Sequence, residues 1–487
     1  MAGTSVFKGV CDGQSTEIMV ARIERWYIAV GLANLVLGTS SVLIPLSVAK
    51  VFGRSVGSLG VLVGLVSLVG VLGSLVWGRL SDAASRRKPF IILGYAASGL
   101  CFLGVSLANT FLQLMILNML LNFFWVANAS VTVLIVIENS AEGTWERKIG
   151  HLNQIGAFGW VLGLAVGSLW MHWMPAMFGE LTAIRILFWA MGIVGLLASL
   201  LAVLMIPRTV PQFTERKFRG VLLAMGNFIS ERARFAPLHL YHRLHPRRVI
   251  AHLIHPEGFR TGTKRFFLST LFAFLALGFF GIPLPLLLSQ KFGLPSSSVF
   301  FFFLLQHAGI VLAYPFASRR IRRLGNRYVQ MGSLWVRMLL FGGFAAYLAL
   351  FGNSPPMAVL IAAFIVYGVT WSYFQLSGIA LTSRLASEKN RGLALGLYNA
   401  IAGTGWILAG LGSGLVAERA GYPLTFAIAG GLLVISLAIL LFVPDPTVVG
   451  NARQAQSIPV KQARLGVIHG MQQARVSHRS RPKPKHP

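Results

Sequence analysis

Gly78-Arg79-Leu80-Ser81-Asp82-Ala83-Ala84-Ser85-Arg86-Arg87-Lys88-Pro89-Phe90 is a short charged turn set between two long apolar runs, Val56–Trp77 and Phe90–Leu107. Each run has about 20 residues, enough for a helix to cross a roughly 30 Å hydrocarbon core. The turn is too short to leave the membrane surface, so it holds two adjacent spans at one interface. Its four cations, Arg79, Arg86, Arg87 and Lys88, assign that interface to the cytoplasmic side by the positive-inside rule.

Composition agrees. Of 487 residues 55% are hydrophobic and 12% charged, and the mean hydropathy is +0.69. A soluble chain carries roughly twice that charged fraction, so the class is a polytopic membrane protein. The net charge of +29 does not imply nucleic acid, because the cations collect in loops and tails between apolar runs. There they set topology and attract anionic lipid headgroups. Cys11 and Cys101 offer no disulfide framework. The first apolar run is too long for a signal-peptide core and reads as a retained anchor.

Twelve spans are expected. Six run near Trp26–Val48, Val56–Trp77, Pro89–Asn109, Phe111–Ile137, Ile149–Trp173 and Leu181–Ile206. Six more run near Phe266–Leu288, Ser296–Ala317, Tyr328–Phe351, Met357–Ala386, Leu393–Ala417 and Tyr422–Val443. The chain therefore divides into an N-terminal tail (1–25), a six-helix bundle (26–206), a central loop (207–264), a second six-helix bundle (265–444) and a basic tail (445–487). The halves repeat. Ile44-Pro45-Leu46 with Phe52-Gly53 returns as Ile282-Pro283-Leu284 with Phe292-Gly293, and Trp125 pairs with Trp371. Asn153, Ile155, Gly159, Trp160 and Leu162 return as Asn399, Ile401, Gly405, Trp406 and Leu408, an offset of roughly 240 residues. Two like halves with an even span count share one topology and can pack about an axis along the membrane normal, with a cavity between them. Even-numbered connections carry the cations, including Arg147, Lys148, Arg319, Arg320, Arg322, Arg323, Arg384, Lys389 and Arg391. Both termini and the central loop accordingly belong to the cytoplasm of a cell-membrane protein.

Gly-x-Leu-x-Asp-x-x-x-Arg-Arg between the second and third spans resembles the loop signature of the major facilitator superfamily of secondary transporters. Gly78, Leu80, Asp82, Arg86 and Arg87 match it; Ala83 replaces a usual cation and Ser85 a usual glycine. The resemblance implies an all-α fold of twelve transmembrane helices in two six-helix bundles related by a pseudo-twofold axis. It also implies that Asp82 latches onto the start of the eleventh span, where Arg391 adds a cation to the helix dipole. The equivalent second-half turn has Arg322 near the carboxylate position, so that latch reads as degraded. Gly156, Gly159, Gly163 and Gly167 in the fifth span, like Gly403, Gly405, Gly410, Gly412 and Gly414 in the eleventh, allow close helix approach. The fifth-span run resembles a glycine motif that the family associates with export, without its usual proline.

The family lines its pathway with the first, fourth, seventh and tenth spans. The polar and indole residues there are Asn34, Asn122, Trp125, Asn128, Ser130, Trp371, Tyr373 and Gln375. Asn118, Asn122 and Trp125 share one helical stripe, and an amide facing lipid unpaired is costly. None of the 14 acidic residues falls at the centre of an expected span. A buried carboxylate is a natural proton carrier, so the candidates left for coupling are His307, with Gln306 beside it, and the surface carboxylates. Arg337 inside the ninth span snorkels, binds a structural partner or, as the lesser alternative, meets an anionic substrate.

Glu215–Phe235 reads as an interfacial helix, with Phe218, Val221, Leu222, Met225, Phe228 and Ile229 on one stripe. His239, His242, His245, His252 and His255 follow, but Pro246 interrupts their spacing and no thiolate joins them. No metal and no cofactor are expected. Nor do nucleophiles or paired carboxylates converge as an enzyme would need. The expectation is a monomeric secondary transporter of a small neutral or amphipathic solute, working by alternating access. Export is favoured, with protons as the candidate coupling ion. A passive facilitator or sugar-type importer is the alternative, and a non-transporting sensor or scaffold the competing class.

Overall fold

The computed structural model describes residues 24–83, 87–138, 145–207, 262–386 and 391–444. The two tails and nearly all of the central loop, including the interfacial helix and the histidines expected there, lie outside the described residues. In the first half the helices are α1 (Tyr27–Lys50), α2 (Val56–Ala83), α3 (Lys88–Ser106), α4 (Phe111–Glu138), α5 (Trp145–Phe178) and α6 (Glu180–Met205). In the second half α7 (Thr263–Gly281) continues through a short turn at Leu284–Leu286 and a π-turn at Leu287–Lys291. Then come α8 (Ser296–Leu324), α9 (Asn326–Phe351) and α10 (Met357–Leu385).

The last described helix, Arg391–Leu441, has 51 residues. At 1.5 Å per residue it would be about 77 Å long, more than twice a membrane core. It breaks at Gly421 (φ 81°, ψ 166°), a conformation that glycine adopts without a Cβ penalty. The limbs 391–420 and 422–441 are α11 and α12. Eleven described helices are long and apolar enough to cross a membrane, and this break turns the eleventh into two spans. Helices dominate because lipid offers no hydrogen bonds, so each span must satisfy its own backbone.

The repeat read in the sequence has a structural counterpart. Phe52 N–H donates to Ser47 O and Arg54 N–H to Val48 O; Phe292 N–H donates to Leu287 O and Leu294 N–H to Leu288 O. Gly53 (φ 57°) and Gly293 (φ 65°) stand in the left-handed region at matching places in these caps. A second pair caps the other face. Lys88 Nζ donates to Val203 O (2.7 Å) and Ile206 O (2.8 Å) at the end of α6. Arg327 donates to Leu441 O and Arg265 to Phe442 O at the end of α12. Cations there satisfy terminal carbonyls and the negative end of the dipole. Lys88, read as a topology charge, is thus also a helix cap.

In the first bundle α1 packs on α5 and α6, α2 on α4, and α3 on α4 and α6. In the second, α7 packs on the long final helix, α8 on α10, and α9 on α10 and the final helix. The bundles meet where α2 crosses α11 and α5 crosses α8. The face holding Arg87, Lys88 and Arg322 is called here the basic face; Gly53, Gly179, Gly293, Gly352 and Gly421 lie on the opposite face.

Arg337 does not snorkel. It is fully buried, donates from Nη2 to Tyr367 O at 2.7 Å, and lies 4.7 Å from the Tyr367 ring centroid and 5.5 Å from that of Trp371. Its partners are a carbonyl and two aromatic faces, which stabilise a desolvated cation.

Candidate functional site

Four helices of the first bundle, α1, α3, α4 and α5, frame a cavity of about 300 Å³. Asn34, Tyr95, Trp125, Asn128, Asn153 and Trp160 give it its polar and aromatic lining, and among the described residues no Asp, Glu, Lys or Arg lines it. Asn34 Nδ2 donates to Val30 O of its own helix at 2.8 Å. Thr132 Oγ1 lies 2.8 Å from both Asn128 Oδ1 and the Asn128 backbone O, with one proton to donate between them. The Tyr95 and Trp125 rings lie 6.1 Å apart, tilted by 31°. Trp160 reaches across to α8, where its ring stacks on His307 at 5.7 Å and 17°.

Of the residues expected to form a cavity, the structure brings together Asn34, Trp125 and Asn128. Asn122 turns away from it: its Nδ2 donates to Val66 O of α2 at 2.8 Å, so it fastens two helices. Asn118 is buried. The stripe on α4 therefore splits between packing and cavity. Trp371, Tyr373 and Gln375 stand apart on α10 of the second bundle. Trp371 packs edge-on against Phe274 at 6.3 Å, Gln375 Oε1 accepts from Tyr314 at 2.8 Å, and Tyr373 is half-buried. His307 Nδ1 lies 2.9 Å from Phe303 O, one turn back on α8. In the turn motif, Leu80 is half-buried against the first-bundle core near Trp77, and Arg87 is half-buried. The side chains of Gly78, Asp82, Ser130 and Arg391, and all of Arg86, lie outside the described residues.

Tyr95, Asn153 and Trp160 were not expected in the cavity. A signal for two of them existed. Asn153, Gly156, Ala157 and Trp160 fall at three- and four-residue steps and share one helical face.

The opposite face is closed. Glu180, at the start of α6, pairs with Lys50 of α1 at 3.3 Å and accepts from Ser296 Oγ of α8 at 2.5 Å. Ser168 Oγ donates to Ser297 O at 3.2 Å and Gln290 Nε2 to Arg54 O at 3.3 Å. Three side-chain hydrogen bonds thus join the bundles at this face. Below them, Gly60 and Gly64 of α2 cross Gly410 and Gly414 of α11 backbone to backbone. We expect Glu180→Gln to weaken this closure by about 1 kcal/mol, since the pair is partly exposed. The closed-to-open ratio should then fall by roughly fivefold, read as slower oxidative cross-linking of Ser168→Cys with Ser297→Cys; an unchanged rate would remove Glu180 from the closure.

Two like six-helix bundles of membrane-spanning helices, the first holding a cavity lined by amides and indoles, have the architecture of a membrane transporter. The chain belongs to the Major Facilitator Superfamily, whose profile matches residues 26–329 and again 266–482. No curated protein sequence matches the chain. Among solved structures it is similar to the nucleoside transporter NupG, with 15% identity, a TM-score of 0.61, and coverage of 86% of this chain and 98% of that one. It is also similar to a POT family transporter in complex with a thioalcohol-conjugated peptide, at 11% identity and TM-score 0.67, covering 86% and 96%. A third is a bacterial homologue of the human lysosomal transporter Spinster, in an inward-facing and occupied conformation. It has 12% identity and a TM-score of 0.60, with coverage of 85% and 94%. Identities this low speak to the fold alone.

Proposed function

We propose that this secondary transporter moves a small neutral or amphipathic organic solute by alternating access, holding it in the first-bundle cavity. The single observation that carries this is the pocket of amides and indoles, without a charged group among the described residues, beneath a sealed opposite face. By the positive-inside rule the basic face is cytoplasmic, both termini with it. The conformation is then inward-facing, and Asp82 of the α2–α3 turn latches to the start of α11 when the basic face closes in turn. Anionic lipid headgroups accompany the basic face, and the chain works as a monomer. Export is favoured, with protons entering through His307, whose ring is stacked on cavity residue Trp160.

A passive facilitator or sugar-type importer is the second reading. It is favoured by the placement of the described carboxylates, Glu24, Glu180 and Glu418, which all sit near helix ends. The test is flux in proteoliposomes of solutes first found by ligand-induced thermal stabilisation. Coupled transport is expected to fall severalfold with an uncoupler and in His307→Ala; flux indifferent to both supports the passive reading. Asp82→Asn is expected to lower flux severalfold, and wild-type flux in that variant would sink the latch.

A further inference from the structure

We propose that the first-bundle cavity is built for a flat, uncharged solute with an amide-like edge, and that Trp160 and Tyr95 are its specificity-determining residues. The inference rests on the reading of this cavity as the solute site and adds the chemical class. Trp160 lines the cavity, and its Nε1–H is buried without a partner. An indole N–H only donates, so whatever satisfies it must accept. Tyr95 is 1% exposed, and its hydroxyl lies beside Asn128 without meeting any group in hydrogen-bond geometry. Asn128 Nδ2 carries two N–H groups, so it keeps one to donate beside Tyr95. On Asn34 one Nδ2 proton goes to Val30 O, and Oδ1 is left to accept.

The wall thus offers donors from α3, α4 and α5 and an acceptor from α1. A carbonyl beside an N–H answers both, and an unpaired buried donor gains by being answered. Trp125 and Trp160, both half-buried at the cavity wall, border it with indole rings on which a flat ring can stack. Among the described residues no charged side chain lines the cavity, so against these walls a carboxylate or ammonium would be desolvated without compensation. The volume of about 300 Å³ lies at the small end of ligand pockets. Recognition is one-sided: Trp371, the repeat partner of Trp125, is covered by Phe274 and Arg337.

Calorimetric titration of the purified full chain with nicotinamide, nicotinate and glucose tests this. Nicotinamide and nicotinate share a shape and differ in charge; glucose is neutral but not flat. Nicotinamide should bind about tenfold or more tighter than either. Trp160→Phe keeps a ring and removes the donor, Tyr95→Phe removes only the hydroxyl, and each should weaken nicotinamide about tenfold. The inference is overturned if nicotinate or glucose binds as tightly, if nicotinamide does not bind, or if both variants keep wild-type affinity. The selectivity of the unaltered protein decides even where a variant misfolds. Flux of glucose or another solute in proteoliposomes would leave the transporter reading standing while this inference fails. Tight nicotinamide binding with no flux of any solute would do the reverse.

Discussion

Gly410→Leu is expected to abolish transport while leaving each bundle folded. A Cβ on Gly410 would stand 2.5 Å from Gly64 N, and one on Gly60 would stand 2.5 Å from Gly410 O. Gly414 meets Val56 O at 2.6 Å in the same sense. These contacts are backbone, which cannot move aside as a side-chain tip would. Helices in lipid gain little from hydrophobic association with each other; close approach of small residues is what holds them. Overpacking of this kind costs about 1–3 kcal/mol, and here the bundles relieve it by separating. That shifts the closed-to-open ratio of the opposite face by roughly ten- to a hundredfold. Flux in proteoliposomes should fall to background, and the Ser168→Cys, Ser297→Cys pair should stop cross-linking. Wild-type cross-linking in Gly410→Leu would falsify the idea that this crossing closes the face. Gly403→Ala is the control, because its Cβ meets only a Val71 methyl at 3.2 Å.

The opposite outcome is expected of Gly163→Leu, which should destabilise the protein rather than trap it. Gly163 lies inside the first bundle, where α5 crosses α1. A Cβ there would stand 2.1 Å from Leu35 O, and one on Gly159 would stand 2.2 Å from Gly31 O. Thr39 Oγ1 donates to Gly163 O at 2.8 Å, fixing the crossing at that depth. Neither helix can retreat, because α6 holds α1 from another side. The expected loss is about 3 kcal/mol or more. It should be read as a large drop in thermal midpoint and in the yield of monodisperse protein. A variant as stable as the wild type would mean that this crossing is looser than its distances say. The two glycine substitutions together separate a seam within a bundle from a seam between bundles.

Much of the site was legible, and the part that was not has a common cause. Asn34, Trp125 and Asn128 could be picked out because polar and indole groups are rare in spans and must face something other than lipid. Of the four spans expected to line the pathway, α1 and α4 frame this cavity; α3 and α5 complete it in place of α7 and α10. Asn122 shares the α4 stripe, yet it fastens α4 to Val66 of α2. Residue type cannot separate those outcomes, since an amide is satisfied equally by a cavity or by a carbonyl. Trp160 was visible only as half of the repeat with Trp406. In the fold, one member lines the cavity and stacks on His307, while the other packs near Gly278 and Gly281 of α7. Like sequences in the two halves acquired unlike neighbours.

The chain by itself determined the number of spans, their order, the internal repeat and the face that gathers the cations. These follow from a local rule: each segment in lipid must be apolar for about 20 residues and bond its own backbone. Tertiary structure alone decided which side of each helix turns inward. A span that is apolar all round carries no stripe to say so. Backbone approach at a few glycines therefore chose the crossings, and the crossings placed the cavity in the first bundle.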